Sequence, residues 1–361
     1  MKRIPNLMLA LVSTTALLGC AMETEDSELA QVHQKAIFGD DNLEDWISVS
    51  DQRLKHLGES VAALFDASLI SCAGASCDVT SPTFRPHGTS VETGPDGIYY
   101  PICRRLPFTD TQYAGAACTG FLVGPDIVAT AGHCLGHGDC YPNGQNPSLP
   151  DNGAEQVIFD YRADASGVMP QVKTISASDV YHCVEVLAWG WPEVSGEDDY
   201  AFFRLDRKVS GRTPFIAQYS GLPRTEDEYV AYGHPMSWPL KVAEDSAIIA
   251  IQDDGRYLDV RADTFGGSSG GPLLNALTGV VSAINFGGSG GHYEWWATGH
   301  GRNTCATFHH CDQDTGCPGM PGGGQWAAYT PTARAMSMAA GIPVHIPVHA
   351  ALATASTIMS L

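Results

Sequence analysis

The chain has 361 residues, of which 40 are acidic and 20 basic, and its formal net charge is −20 at pH 7. This acidity argues against nucleic acid as a partner, because binding phosphates needs a basic surface. The 39 glycines and 22 prolines predict many turns and favour an all-β fold over a helical one. The length suits one large domain or two packed barrels.

The first segment has the pattern of an export signal. Lys2 and Arg3 precede a short apolar run over residues 7–18, which is too short for an ordinary membrane-spanning helix. The run ends in Leu-Leu-Gly-Cys, which resembles the box of bacterial lipoproteins, whose cysteine is lipidated. We therefore expect residues 1–19 to be a signal peptide and Cys20 a lipidation site, with an ordinary signal peptide as the alternative.

Either alternative implies export from a bacterial cell. The expected destinations are the outer membrane, as a lipoprotein, or the periplasm or medium. The only expected membrane contact is a lipid on Cys20.

Composition divides the rest of the chain. Residues 20–35 are acidic and predict a disordered tether, in which Lys35 is the expected processing point. Residues 36–97 form an N-terminal segment, interpreted as a pro-region and the start of the first barrel. Residues 98–340 form the main domain, and residues 341–361 an apolar tail interrupted by proline and histidine.

Hydrophobic spacing gives a coarse secondary structure. Leu54, Leu57, Val61 and Leu64 are spaced as on one helix face. After residue 98, short apolar runs separated by turn residues predict strands of a sandwich or barrel. The runs are FLVGPDIVATAG, EQVIFDYRA, DYAFFRL, EYVAYG, AIIAI, LDVRA, PLLN and GVVSAINFGG.

Eleven cysteines are present, and ten remain when Cys20 is set aside. In an exported chain this even number predicts up to five disulfides. Short separations favour the pairs Cys72–Cys77 and Cys311–Cys317. No pair has the C-x-x-C spacing of zinc sites, so we expect no metal and no cofactor.

One turn carries the clearest chemistry. Residues 267–272 read Gly-Ser-Ser-Gly-Gly-Pro. A serine hydroxyl needs a base within hydrogen-bond reach, and the developing oxyanion needs backbone N–H donors. A turn rich in glycine supplies such donors without side chains in the way. Thr-Ala-Gly-His-Cys at 130–134 and Asp-Tyr-Ala-Phe-Phe-Arg-Leu at 199–205 offer a base and an orienting acid.

These three elements resemble those of chymotrypsin-like and trypsin-like serine proteases. The resemblance covers roughly residues 98–335. It implies Ser269 as nucleophile, His133 as general base and Asp199 as the residue that orients the histidine. It also implies an oxyanion hole made by the N–H groups of Gly267 and Ser269. The neighbouring acidic residues Glu197 and Asp198 are interpreted as a solvated loop.

The family's fold is all-β, with two six-stranded antiparallel barrels and the active site in the cleft between them. The resemblance implies a first-barrel disulfide, Cys118–Cys134, and a pair Cys140–Cys183, which leaves Cys103–Cys305. It further implies hydrolysis of protein or peptide substrates by a monomer.

The chain order His133, Asp199, Ser269 is that of chymotrypsin-like enzymes. An α/β-hydrolase esterase needs the order serine, acid, histidine, and is the less favoured alternative. A further alternative is a lipid-anchored binding protein with an inactive protease fold, although all three residues are present.

Specificity is less determined. The segment from Asp263 to Pro272 resembles the bacterial glutamyl-endopeptidase-like branch but departs from it at Ser268 and Gly271. Asp263 has the offset of the carboxylate that selects basic residues in trypsin-like enzymes, and Asn285 replaces the branch's substrate-binding histidine. The predicted substrate pocket has a slight preference for basic residues and comprises Asp263, Thr264, Asn285, Phe286 and Gly287.

Overall fold

Strands dominate the part of the chain that the computed structural model describes. That part comprises residues 42–81, 107–109, 111–135, 156–192, 198–288 and 327–338, with the backbone of short strands at 36–38, 92–93, 99–100, 293–296 and 305–311.

The strands, in chain order, are β1 (Ala36–Phe38), β2 (Leu43–Asp45), β3 (Val61–Phe65), β4 (Ile70–Ala73), β5 (Ser76–Thr80), β6 (Glu92–Thr93), β7 (Tyr99–Tyr100), β8 (Cys118–Gly124), β9 (Ile127–Thr130), β10 (Gln156–Phe159), β11 (Val172–Ser176), β12 (Val180–Gly190), β13 (Tyr200–Leu205), β14 (Tyr229–Gly233), β15 (Lys241–Gln252), β16 (Tyr257–Arg261), β17 (Pro272–Asn275), β18 (Val281–Gly288), β19 (Tyr293–Trp296), β20 (Cys305–Cys311) and β21 (Ala327–Pro331). Two α-helices are described, α1 (Gln52–Gly58) and α2 (Thr332–Met338).

The first barrel is closed, six-stranded and antiparallel, in the order β10-β12-β13-β9-β8-β3. Strand β3 closes it by pairing with both β8 and β10. The portion of the segment 36–97 that takes part in this barrel is therefore Val61–Phe65.

The second barrel has the order β14-β17-β18-β21-β16-β15 and is closed by the pairing of β14 with β15. Strand β2 adds to its outside by pairing with β15. The predicted class, two six-stranded antiparallel barrels, is confirmed. The predicted apolar runs after residue 98 all contribute to barrel strands.

Alternation along the strands explains how the barrels pack. In β14, Tyr229 and Ala231 point into the core of the second barrel, whereas Val230 and Tyr232 join a cluster shared with the first barrel. Successive strand residues face opposite sides, so both faces of β14 are buried. The shared cluster also holds Phe121 from the first barrel, so it packs the two barrels against each other.

The helix expected from Leu54, Leu57, Val61 and Leu64 is wrong in its second half. Helix α1 ends at Gly58, and Val61 and Leu64 lie in β3, where all five residues are buried. Periodicity cannot separate a short buried strand from a buried helix. Val61–Phe65 is a strand because it closes the first barrel by pairing with both β8 and β10.

Two predicted disulfides are confirmed, Cys72–Cys77 and Cys118–Cys134. Cys183 is also disulfide-bonded, but its expected partner Cys140 lies outside the described residues. The side chains of the pairs Cys103–Cys305 and Cys311–Cys317 lie outside them too, as do the predicted signal peptide, Cys20 and the tail. In the described part of the chain, no helix is both long and apolar enough to span a membrane.

Candidate active site

His133 is carried by a 3₁₀ turn, Gly132–Cys134, that follows strand β9. Gly132 is required there, because a Cβ at this position would come within 1.8 Å of the carbonyl oxygen of Gly190. The indole N–H of Trp189 donates to the carbonyl oxygen of Gly132 at 2.8 Å. The disulfide of Cys134 to Cys118 ties the other side of the turn to β8.

Asp199 lies directly before β13 and holds His133 at two points. Its Oδ2 lies 2.8 Å from His133 Nδ1, and its Oδ1 accepts from the backbone N–H of His133 at 3.1 Å. The aspartate is 5% exposed, whereas the histidine is half-buried. A buried carboxylate at Nδ1 keeps the proton there, so Nε2 is free to act as a base.

Asp198 contradicts the expectation of a solvated acidic loop. It is 4% exposed and accepts from the side chains of Arg256, at 2.7 Å, and Arg334. These arginines are distant in sequence, so nothing in the local pattern indicated them. Glu197 lies outside the described residues.

The serine turn separates its two hydroxyls. Ser268 is buried, and its Oγ accepts from the backbone N–H of Phe265 at 3.4 Å, whereas Ser269 is half-exposed. Gly267 and Gly270 have φ values of +94° and +85°, a region that favours glycine. The turn thus buries Ser268 and leaves Ser269 accessible to solvent.

The backbone of the turn presents two N–H groups. Among the described residues, neither Gly267 N–H nor Ser269 N–H donates to another group of the chain. The carbonyls of the same two peptide units are held: Gly266 O accepts from Met236 N at 2.7 Å, and Ser268 O accepts from Gly271 N at 2.8 Å. Because a trans peptide points its N–H away from its C=O, these bonds fix the directions of both donors.

Thr119 adds a bridge that sequence reasoning missed. Its hydroxyl donates to Gly267 O at 2.8 Å and accepts from the backbone N–H of His234 at 2.9 Å. It is fully buried within the apolar strand β8. In the sequence, the only indication of this bridge is that a threonine stands in an otherwise apolar run.

Ser269 reaches the histidine turn through its backbone. Its carbonyl oxygen accepts from Thr119 N at 2.8 Å and lies 3.6 Å from Cys134 Sγ, which itself lies 3.7 Å from His133 Nε2. No hydrogen bond joins Ser269 Oγ to His133 Nε2 in the described structure. Catalytic hydrogen bonds are often long without substrate and shorten in the reacting complex.

Asp263 has a partner within the chain. It is 2% exposed, and its Oδ2 accepts from the backbone N–H of Asn42 at 3.3 Å. Asp263 also lines a small cavity behind Ser268, together with Leu43, Lys241 and Thr264. This engagement argues against the sequence interpretation of Asp263 as a free selector of substrate cations.

The other predicted pocket residues lie along β18. The backbone of Asn285 pairs with the serine turn, accepting from Gly270 N at 2.6 Å and donating to Gly271 O at 2.9 Å. Phe286 packs against the core of the first barrel. Beside Gly287 the space is open, since a Cβ there would meet no atom within 4 Å.

Two buried basic groups lie behind the serine turn. Burial lowers the pKa of His234 to about 3, and its Nδ1 lies 3.0 Å from the carbonyl oxygen of Trp238. Burial lowers the pKa of Lys241 to about 8 against the opposing effect of Asp45, which lies 2.7 Å away. His234 is therefore neutral at pH 7.

Cys118, His133 and Cys134 bring three potential metal-ligand atoms together. Both sulfurs are joined in the disulfide. They are not thiolates, so this group does not have the donor chemistry of a metal site.

Part of the chain is similar to a known protein family. Residues 118–284 match the family described as "Trypsin-like peptidase domain". No curated protein matches the chain.

Three of the solved structures to which the chain is similar are proteases. One is a Glu endopeptidase in complex with MPD, with 13% identity and a TM-score of 0.43, covering 84% of this chain and 96% of that one. Another is the active form of the Rv3671c protease from M. tuberculosis, with 17% identity and a TM-score of 0.35, covering 64% and 75%. The third is neuropsin, a serine protease expressed in the limbic system of mouse brain, with 16% identity and a TM-score of 0.37, covering 62% and 86%.

The two six-stranded antiparallel barrels define a chymotrypsin-like fold. More narrowly, residues 118–284 are similar to the trypsin-like peptidase domain family.

Proposed function

We propose that the protein is an exported serine endopeptidase that works through a His133–Asp199–Ser269 triad and an acyl-enzyme. One observation carries the proposal: His133 Nδ1 lies 2.8 Å from Asp199 Oδ2, and the serine turn presents two unused backbone donors. These donors are the N–H groups of Gly267 and Ser269, which have no acceptor among the described residues. Acyl transfer needs these parts together.

In the first half-reaction, Ser269 Oγ attacks the carbonyl carbon of the scissile peptide while His133 Nε2 takes the hydroxyl proton. The negative charge moves to the carbonyl oxygen, where the N–H groups of Gly267 and Ser269 receive it. His133 then gives its proton to the leaving amine, and the acyl-enzyme remains. Asp199 stabilises the imidazolium throughout without taking its proton.

In the second half-reaction, water replaces the amine. His133 Nε2 accepts a proton from water as the oxygen attacks the ester carbonyl, and returns it to Ser269 Oγ as the acid leaves. No further group is needed to balance the protons, so the proposal includes no metal and no cofactor.

We further propose that substrate lies along β18, where Gly287 leaves the strand open. Thr264, Asn285 and Phe286 border this path, with Asp263 beneath it. The substrates are proteins or peptides, and the enzyme acts as a monomer. Export rests on the leader at 1–19, with Cys20 as the candidate anchor.

The test compares the full chain with Ser269→Ala on a peptide mixture and with a fluorophosphonate probe, which labels activated serines. We expect Ser269→Ala to lower kcat by about 10⁶ and to abolish labelling. Ser268→Ala is the matched control and should keep substantial activity, because Ser268 is buried in the turn. Equal loss in both variants would reject Ser269 as the nucleophile.

A wild-type chain that is folded but neither cleaves nor labels would favour the alternative, an inactive protease fold that binds peptides. The absence of a hydrogen bond between Ser269 Oγ and His133 Nε2 in the described structure is the observation that keeps this alternative open.

A further inference from the structure

The carboxylate of Asp198 joins the two barrels beside the triad. Asp198 precedes strand β13 of the first barrel. Its partners belong to the second barrel: Arg256 follows the turn between β15 and β16, and Arg334 lies in α2, directly after β21. The two arginines bind different oxygens, Arg256 at Oδ1 and Arg334 at Oδ2.

The next residue is held by the second barrel as well. The hydroxyl of Thr330, in β21, donates to the carbonyl oxygen of Asp199 at 2.9 Å and is almost fully buried. Asp198 and Asp199, two consecutive residues of the first barrel, therefore accept hydrogen bonds from three side chains of the second barrel. One of those two residues holds His133.

We propose that Asp198 is a positioning residue that sets the placement of the His133–Asp199 pair relative to Ser269. The inference rests on the proposed function. The pair belongs to the first barrel and the serine turn to the second, so their alignment depends on how the barrels meet. The ion pairs of Asp198 hold the two barrels in a fixed relative position at the residue next to Asp199.

The solvent exposure of Arg256 and Arg334 distinguishes a positioning role of Asp198 from a role in folding stability. Asp198 is 4% exposed, but the side chains of Arg256 and Arg334 are 42% and 40% exposed. If Asp198 loses its charge, both guanidinium groups can turn to water, so the loss of folding stability is small. The restraint on residues 198–199 is lost, so the His133–Asp199 pair can shift as a unit relative to Ser269.

The main test is Asp198→Asn in the full chain, with Arg334→Lys as a second variant that keeps the charge but loses the fork-shaped donor. A displacement of about 1 Å between reacting groups can cost about a hundredfold in rate. We therefore expect Asp198→Asn to lower kcat and fluorophosphonate labelling by about ten- to a hundredfold, with KM changed less than about threefold. Arg334→Lys should show a smaller effect in the same direction.

Two further readouts distinguish positioning from misfolding. The thermal midpoint should stay close to that of the wild type. The low-field NMR signal of the His133 Nδ1 proton should be kept, because its partner Asp199 belongs to the same barrel. Glu185→Gln is the matched control, since Glu185 accepts from Arg204 at 2.9 Å on the exposed face of the first barrel. It should behave like the wild type.

The proposal is overturned if Asp198→Asn keeps its full kcat, if the loss of kcat follows the loss of folded protein, or if the His133 signal disappears. If Asp198→Asn does not fold, Arg334→Lys is judged by the same criteria. An active wild type with unaffected variants rejects the positioning role alone. An inactive, unlabelled wild type rejects the proposed function and the positioning role with it.

Discussion

The backbone N–H of Met236 donates to the carbonyl oxygen of Gly266 at 2.7 Å, and Met236 itself has a left-handed backbone with φ of +55°. This bond fixes the peptide unit whose other end is the N–H of Gly267. A non-glycine residue with positive φ costs free energy, and the surrounding fold must compensate for it. The unusual conformation of Met236 is thus tied to one of the two proposed oxyanion donors.

Substituting Met236 tests that relationship, because two replacements separate backbone from packing. Valine resists a positive φ, whereas glycine adopts it freely. We expect Met236→Val to lower kcat about tenfold, which is less than the ~10²–10³-fold loss when an oxyanion donor is removed outright.

Met236→Gly is the control. Met236 is buried, so glycine loses more packing than valine does. If packing alone mattered, Met236→Gly would be the less active variant. That order, measured as kcat per folded molecule, would contradict the backbone explanation.

Asp263 can be tested as an anchor. Asp263→Ala leaves the half-buried backbone N–H of Asn42 without its acceptor, and an unsatisfied donor costs about 1–3 kcal/mol when it is fully buried. We expect a loss of about 1 kcal/mol, at the lower end of that range, in the free energy of urea unfolding, and no change in the residues preferred before the cut. Asp259→Ala, which removes a carboxylate that accepts from Gln252 on the neighbouring strand, is the control. Changed preference with unchanged stability would restore Asp263 as a selector.

The sequence predicted the parts of the site that depend on local pattern. The segments around His133 and Ser269 are recognisable because they are short motifs, and the family resemblance that these motifs carry implied the disulfide Cys118–Cys134. The partners of Asp198 were not, since Arg256 and Arg334 lie 58 and 136 residues away. Val61 and Leu64 were misassigned because barrel closure, not periodicity, makes their segment a strand.

His234 predicts a pH dependence of stability. Burial lowers its pKa from 6.5 to about 3, aided by the charges of Lys241 and Arg162 and opposed by the bond to Trp238 O. Between these values the unfolded chain binds a proton that the folded chain does not. The free energy of unfolding therefore falls as pH decreases from about 6.5 toward 3, by up to about 1.4 kcal/mol per unit from this group.

The variant His234→Gln should lose this contribution, because glutamine does not titrate and its amide can still donate to Trp238 O. Urea unfolding at pH 7 and at pH 4.5, in a Ser269→Ala background that prevents autolysis, gives the comparison. Carboxylates contribute equally to both proteins, so the difference reports His234. An identical pH dependence in the two proteins would show that His234 is protonated in the folded state.

The last prediction concerns activation, and it follows from the environment of Ser268. In trypsin-like enzymes a newly cut N-terminal ammonium pairs with an aspartate immediately before the nucleophile. Here that position is Ser268, whose buried Oγ accepts from the backbone N–H of Phe265. An ammonium facing only a hydroxyl would keep most of its desolvation cost. Meanwhile the carbonyl oxygens of Gly266 and Ser268 already accept hydrogen bonds from backbone donors.

We therefore expect two chains to have the same kcat/KM, within about twofold: one that starts at Ala36, after cleavage at Lys35, and one with a single extra residue before Ala36. Collapse of activity with the extra residue, and its recovery on trimming, would mean that a free N-terminus orders the oxyanion turn after all.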